Sequence, residues 1–400
     1  MTSRLRLKAR WAWVVAAAAW LAACATPPEP ATPPTPTVDP GLIQPEAPPR
    51  PTEFSQLPAW PQIDPGPAMR AFKRSCAVWE NWPEDALVSA RATYAGRVSD
   101  WRSVCAAAEV AGDAASGRLV VEALFRPVEI DPAGQQPRFT GYFEPEIEAR
   151  RTPQPPFTEP IRAVPSDLVP RPGSGRPQQR LVDGSLRPYP ARADITASSG
   201  PAIGYARVSD VFFLQIQGSG RLRFADGGEI RAAYGAHNGR PFRSVANWLI
   251  QQGEITRGEA SIDGLSAWME TSDPRRVREA LNQNPRYVFF QAKPLDDPSL
   301  GPAGAQGVPL TPLGSMAVDP AYHPLGAPMF VTTSAPGLGG DWAGLVVAQD
   351  TGGAIKGPVR GDLYFGTGAD AGARASTVNA PGRLWVLLPR AVAARLAPSS

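Results

Sequence analysis

Three aspartates lie in apolar frames within the last quarter of the chain. Asp319 closes Gly-Ser-Met-Ala-Val-Asp, Asp350 closes Leu-Val-Val-Ala-Gln-Asp, and Asp362 sits in Arg-Gly-Asp-Leu-Tyr-Phe-Gly. A carboxylate at the end of a buried strand costs stability unless it is paired or put to use. Three of them in one region point to acid–base chemistry, in which a carboxyl gives a proton and takes one back. Between Asp350 and Asp362 runs Thr-Gly-Gly-Ala-Ile-Lys-Gly, too rich in glycine for ordinary core. Its Lys356 is a cation able to lower the pKa of a neighbouring acid, whereas burial and a second carboxylate would raise it.

Two further stretches carry polar chemistry. Phe139-Thr-Gly-Tyr-Phe-Glu-Pro145 either presents Thr140, Tyr142 and Glu144 to a ligand or is a strand-to-turn element with a core tyrosine. Leu214-Gln-Ile-Gln-Gly-Ser-Gly220 reads as a strand with Gln215 and Gln217 on one face, followed by Gly218, Ser219 and Gly220, which allow close backbone approach. Planar amides and open backbone suit sugar hydroxyls, which need paired donors and acceptors, although a hairpin turn is the plainer reading. Asp226-Gly-Gly reads as a hairpin turn, and Tyr234-Gly-Ala-His-Asn-Gly-Arg240 as a polar loop lining the same groove. His237 and His323 are the only histidines, so no zinc-ligand spacing exists and neither metal nor cofactor is expected.

The elements that must position these residues are short. Strand candidates are Val211–Ile216, Arg221–Phe224, Tyr287–Phe290, Met329–Thr332, Leu345–Gln349 and Leu384–Leu388, separated by Gly, Pro, Asp and Asn. Helical spacing marks residues 66–125, Arg243–Ile250 and Asp273–Leu281, the last with Asp273 as N-cap before Pro274. The pattern predicts a mainly β fold with helical decoration, built from barrel-like β-domains and not from βαβ units. No internal repeat of fixed period is present.

The N-terminus is of another kind. Arg4, Arg6, Lys8 and Arg10 precede an apolar run, Trp11 to Trp20, too short to span a bilayer, and then come Leu21-Ala22-Ala23-Cys24. These residues resemble a bacterial lipobox, which implies cleavage before Cys24 and acylation of that cysteine. Ala25 after the cysteine favours the outer membrane by analogy with Gram-negative lipoproteins. A plain secretory signal with an incidental cysteine is the alternative. The chain has 47 prolines and 38 glycines, and the stretch from Thr26 to Pro65 is dense in proline. It reads as an extended tether, or else as a proline-rich docking ligand. Subtracting the four basic residues of the signal from a net charge of +3 leaves the mature chain near −1, which gives no basic patch for nucleic acid. In an oxidising compartment the two remaining cysteines, Cys76 and Cys105, are expected to pair and staple two helices, with two buried thiols as the alternative.

Taken together, Phe-Thr-Gly-Tyr, Gln-Gly-Ser-Gly and the aspartate region resemble the MltA family of membrane-bound lytic murein transglycosylases, whose C-terminal segment is the three-aspartate "3D" module. The resemblance spans roughly residues 120–390. It implies a double-psi β-barrel domain from 66–140 and 291–395, with the 3D module within 305–395. A smaller β-domain with helices, 141–290, is inserted between the two, after a signal peptide (1–23) and a tether (24–65). It implies cleavage of the β-1,4 bond between N-acetylmuramic acid and N-acetylglucosamine, leaving 1,6-anhydro ends. Asp362 would be catalytic, with Asp350, Asp319 and Lys356 supporting it. Thr140, Tyr142, Glu144, Gln215, Gln217, Gly218, Ser219, Gly220 and Tyr364 would bind glycan. The family more often has Tyr-Gln-Gly after the catalytic aspartate, where this chain has Tyr364-Phe365-Gly366. Expected partners are peptidoglycan strands, the lipid anchor on the periplasmic face of the outer membrane, and other cell-wall enzymes. A non-lytic wall-binding or remodelling protein and a two-carboxylate glycan hydrolase are the rival functions.

Overall fold

The computed structural model describes residues 50–171, 176–196, 199–295 and 297–396. The expected signal peptide, the Cys24 anchor and the tether as far as residue 49 lie outside the described residues. The rest of the expected tether, residues 50–65, is not an extended spacer. Phe54, Leu57, Trp60 and Ile63 recur at every third position across two short 3-10 turns, and the last three are buried. Trp60 packs on Phe54 and Phe330, and its indole N–H donates to Glu122 at 2.7 Å. A buried aromatic with its polar edge satisfied overrides the extended preference of the prolines around it.

Helices α1 (Gly66–Glu80), α2 (Val98–Val110) and α3 (Ala114–Leu124) occupy the stretch expected to be helical. Ala68, Phe72, Cys76 and Trp79 bury one face of α1, and Val98 and Trp101 of α2 meet it. Cys76 and Cys105 form a disulfide between these two helices, with their Cα atoms 5.5 Å apart.

The strands, in chain order, are β1 (Arg50–Pro51), β2 (Phe125–Glu129), β3 (Arg138–Glu144), β4 (Glu146–Ala149), β5 (Glu159–Arg162) and β6 (Leu168–Val169). Then come β7 (Gln178–Arg180), β8 (Leu186–Pro188), β9 (Ala202–Ala206), β10 (Gly220–Phe224), β11 (Glu229–His237) and β12 (Val288–Lys293). The last six are β13 (Ser315–Val318), β14 (Pro328–Ala335), β15 (Gly340–Asp350), β16 (Arg360–Thr367), β17 (Asn379–Ala380) and β18 (Gly382–Pro389). Among the described residues nine of them form one mixed sheet in the order β1-β2-β18-β14-β15-β13-β16-β3-β17, parallel at β13·β15 and β16·β3. Among the described residues its outer strands β1 and β17 do not pair with each other, so the sheet does not close into the expected barrel there. A second sheet, β12-β11-β10-β4, carries the residues between. Apolar side chains of β13 to β16 and β18 pack with α1–α3 into one core, and the second sheet has its own, smaller one.

Only Pro145 separates β3 of the first sheet from β4 of the second. The expected boundaries at 140/141 and 290/291 therefore cut through β3 and β12. The chain changes sheets after Glu144 and leaves the second sheet after Lys293.

One element is of the wrong type in the sequence reading. Val211–Ile216 is not a strand but part of helix α4 (Val208–Gln217). Val211, Phe212, Leu214 and Gln215 are buried, and Val208 packs against the cluster that holds Phe212. Starting the window at Val208 gives the i, i+3, i+4, i+7 spacing of a helix face. Helices α5 (Val245–Gln251), α6 (Ile262–Thr271) and α7 (Pro274–Asn282) pack on α4, and Asp273 caps α7 by accepting from the Arg275 N–H at 2.8 Å. Of two short helices, α8 (Ala369–Ala375) packs on β3 and β16, and α9 (Arg390–Ala394) packs on β2 and β18.

Candidate active site

The sheet register brings the polar residues together. Ala317 of β13 pairs with Asp362 on one side and Asp350 on the other, and Asp362 pairs in turn with Thr140 of β3. Asp350 and Asp362 thus stand two strand spacings apart, roughly 10 Å between Cα atoms. Paired residues share a face, and so do alternate residues along each strand. Arg138 opposite Arg360, Thr140 opposite Asp362 and Tyr142 opposite Tyr364 therefore form three successive rows on one face of β3 and β16.

Asp362 is held asymmetrically. Arg360 Nη2 donates to Thr140 Oγ1 at 2.9 Å, and the Thr140 hydroxyl donates to Asp362 Oδ1 at 2.5 Å. Among the described residues no group hydrogen-bonds Oδ2. Burial pushes the Asp362 carboxyl up to about 6. The Thr140 bond and the Arg360 and Arg138 charges pull it down, and Asp350 adds a smaller upward push. The direction expected from burial and Asp350 is present, with burial dominant. Lys356 plays no part in it. Its side chain is 64 % exposed and lies 3.7 Å from the Oδ1 of Asp319.

Asp350 is fixed on every side. Its Oδ2 accepts from the Tyr142 hydroxyl at 2.9 Å, and its Oδ1 accepts from the N–H groups of Ala305 and Thr351, each at 2.9 Å. Burial raises its pKa against those three bonds. The Tyr142 ring leans on Tyr364, centroids 5.3 Å apart, and burial together with the neighbouring Asp350 raises the Tyr142 phenol well above its ordinary value. Asp319 is buried beyond the far end of β13, where its carboxylate accepts from the N–H groups of Ala321 and Gly357.

Other expected site residues lie elsewhere. Glu144 is completely buried and is not open to a ligand. It accepts from Arg221 at 3.0 Å, from Arg231 at 2.6 and 3.3 Å, and from Thr367 at 3.0 Å, which ties β3 to β10 and β11. Because α4 is a helix, Gln215 and Gln217 do not share a face. Gln215 accepts from Arg192 at 2.6 Å in the interior, and Gln217 accepts from the Phe143 N–H at 3.3 Å. Gly218, at φ 87°, is the left-handed C-cap of α4, and Ser219 and Gly220 lead buried into β10. Gln-Gly-Ser-Gly is thus a helix end packed on β3 and not a hairpin, with Gln215, Ser219 and Gly220 buried and Gln217 and Gly218 half-buried. The expected polar loop from Tyr234 is the last part of β11, bulged between Tyr234 and Ala236.

Sequence reasoning passed over Gln349, whose amide donates to Ala71 O and Ser75 Oγ of α1 at 2.8 Å and accepts from Ser315 at 2.6 Å. That buried network anchors the residue beside Asp350. It also passed over Arg360, although its place two residues before Asp362 on a strand puts both on one face.

Residues 138–291 match the family described as the MltA specific insert domain, and residues 314–388 match the 3D domain. A lytic transglycosylase, LtgG, of Burkholderia pseudomallei is 35 % identical, with a TM-score of 0.56 over 86 % of this chain and 96 % of that one. The chain belongs to the MltA family. A membrane-bound lytic murein transglycosylase from Agrobacterium tumefaciens superposes with a TM-score of 0.75 at 29 % identity, over 87 % of this chain and 99 % of that one. Escherichia coli MltA, solved with bound chitohexaose, gives a TM-score of 0.60 at 27 % identity, over 86 % and 97 %. By sequence, membrane-bound lytic murein transglycosylase A of Escherichia coli K12 is 36 % identical over 261 residues. That alignment spans 62 % of this chain and 65 % of the relative's length. The face carrying Thr140, Asp362 and Tyr364 lies where the two matched segments of this MltA-family chain meet, β3 from the first beside β16 from the second.

Proposed function

We propose that the protein is a lytic transglycosylase that cleaves the β-1,4 bond between N-acetylmuramic acid and N-acetylglucosamine in peptidoglycan and leaves 1,6-anhydro ends. The observation that carries this reading is Asp362, one carboxyl with a pKa of about 6, one oxygen fixed by Thr140 and the other unengaged by the protein. A protonated Oδ2 gives its proton to the glycosidic oxygen as the C1–O4 bond breaks. The C6 hydroxyl of the same muramyl residue attacks C1, and its proton returns to Asp362. No water is consumed. The nucleophile is tethered to the electrophile, so its effective concentration is high and one protein carboxyl serves as acid and then base. A hydrolase with two carboxylates would need Asp350 free to activate water. Three protein donors already engage it, which suits a residue that holds Tyr142 and the following loop in place.

The wider reading follows from the same membership. The main sheet, with its two parallel pairs, is read as the double-psi barrel domain, interrupted after Glu144 by the second sheet with α4–α7. Thr140 and Tyr142 remain as glycan-binding residues on the Asp362 face, whereas Tyr364 is completely buried and backs the Tyr142 ring. Cys24 is the acylated residue after signal cleavage and anchors the enzyme to the periplasmic face of the outer membrane. Two relatives are named membrane-bound, and no described helix is long and apolar enough to cross a membrane.

Mass spectrometry of digested sacculi tests the chemistry. Anhydro ends are expected from the native protein and none from Asp362→Ala, with glycan binding retained. Reducing ends from the native protein, or near-normal turnover by the variant, would overturn the assignment.

A further inference from the structure

Arg286 stands between α7 and β12, and its guanidinium lies against the glycine loop that follows Asp350. A Cβ placed on Gly353 would be 3.6 Å from its Cζ and 3.8 Å from Nη1 and Nη2. Among the described residues no carboxylate pairs with this guanidinium and it donates no hydrogen bond. Four other arginines between Glu146 and Lys293 are engaged: Arg192 by Gln215, Arg221 and Arg231 by Glu144, and Arg278 by Glu159. A half-buried cation without a counter-charge is costly, and such groups are ordinarily paired.

Its surroundings also offer donors. The bulge in β11 re-aims Tyr234, which is 47 % exposed. His237 Nδ1 accepts from the Gly239 N–H at 2.8 Å, which leaves the ring proton on Nε2. Burial, and after it the Arg286 charge, lower His237 to about 4, so the ring is a neutral donor at physiological pH. The Arg286 charge acts on both His237 and Tyr234, so guanidinium, imidazole N–H and phenol are neighbours, and among the described residues no carboxylate pairs with the guanidinium. An uncharged amino-sugar chain has no use for such a cation. The muramyl residues of peptidoglycan differ from it in carrying a lactyl ether, which ends in a carboxylate where the strand is naked and otherwise extends into a peptide stem with free carboxylates of its own.

We propose that Arg286 binds a carboxylate of the peptide stem and so gives the enzyme a preference for strands whose stem carboxylates are free over strands in which they are blocked. This rests on the peptidoglycan reading of the same site. It makes Arg286 a specificity residue for the strand, apart from the acid–base work of Asp362. Loss of a charge-assisted pair at a partly desolvated position is expected to weaken binding about tenfold to a hundredfold.

The test uses the mature chain carrying Asp362→Asn, to stop turnover. Calorimetry compares a stem-bearing glycan oligomer with the same oligomer amidated at its stem carboxylates. Arg286→Gln is expected to weaken the charged ligand about tenfold or more and the amidated one less than twofold, with Arg286→Lys recovering part of the loss. Equal affinity for both ligands in the Arg286 protein, or an equal loss for both in the glutamine variant, overturns the proposal. Product analysis of the native enzyme keeps the two readings apart. Anhydro ends without a charge preference would sink the Arg286 proposal and leave the lytic reading standing. A charge preference without anhydro ends would do the reverse. If neither oligomer binds, both fall.

Discussion

Thr140 stands between a cation and an acid, and its direction of donation follows from that position. A guanidinium has no acceptor, so the bond from Arg360 turns the threonine proton toward Asp362. A hydrogen bond to the ionised carboxylate favours the charged form, so Thr140→Val should raise the Asp362 pKa above about 6. Activity that needs the protonated acid falls as pH rises through that pKa. The alkaline limb of kcat/KM should therefore move upward in the variant, and an unmoved limb would show that Thr140 does not hold the acid. The same carboxyl affects stability. Its folded pKa of about 6 exceeds the ordinary 3.8, so the folded chain binds this proton more tightly than the unfolded chain does. The associated stability is complete below pH 3.8 and is lost as pH rises to 6. Asp362→Asn, free of that loss, should gain about 3 kcal/mol on the native protein between pH 3.5 and pH 8, read by denaturant melts at both. The place of Asp362 was legible in the sequence because its apolar flanks mark it, and Thr140 stood out through its Thr-Gly-Tyr setting. Glu144 was misread because Arg221 and Arg231 approach it from strands some eighty residues away, which nothing local signals. Arg286 gave no signal, since its meaning is the lack of a partner in three dimensions.

Among the elements, α1 stabilises the site from behind. Its carbonyl at Ala71 and hydroxyl at Ser75 hold Gln349, the neighbour of Asp350, and the next residue, Cys76, is bonded to α2. Cross-linking residues 29 apart restricts the unfolded chain and contributes about 3–4 kcal/mol on a chain-entropy account. Replacing both cysteines by serine should lower the unfolding free energy by about that amount, and an unchanged denaturation midpoint would contradict it. The helices were readable because Ala68, Phe72 and Cys76, or Val98, Trp101 and Cys105, repeat at helical spacing. The strand reading of Val211–Ile216 failed because β-favouring residues filled a six-residue window, whereas the helix face appears only when Val208 is included. The 54–63 segment was lost to its prolines, although a period of three ran through Phe54, Leu57, Trp60 and Ile63.

Across the whole molecule, the chain passes between the two sheets after Glu144 and again after Lys293, and one buried carboxylate ties them together. Glu144 has no exposure, and both its oxygens are filled by Arg221, Arg231 and Thr367. Removing one partner of a buried ionic cluster leaves uncompensated charge, so Glu144→Gln should cost about 3–5 kcal/mol in thermal or denaturant unfolding. A loss below 1 kcal/mol would mean that water reaches the arginines. The mainly β character and the sharing of the chain between two sheets could be read from the pattern of short apolar runs. The open edges of the main sheet and the place where the chain crosses over could not, because both depend on pairing between distant segments. The cluster also constrains the construction of chimeras. The glutamate belongs to the host sheet, whereas both arginines belong to the segment between Glu146 and Lys293. A segment transplanted from a relative will fit only if it brings both arginines, or if Glu144 is exchanged along with it. Charge matching at this seam is therefore one condition that any exchange of the inserted segment has to meet.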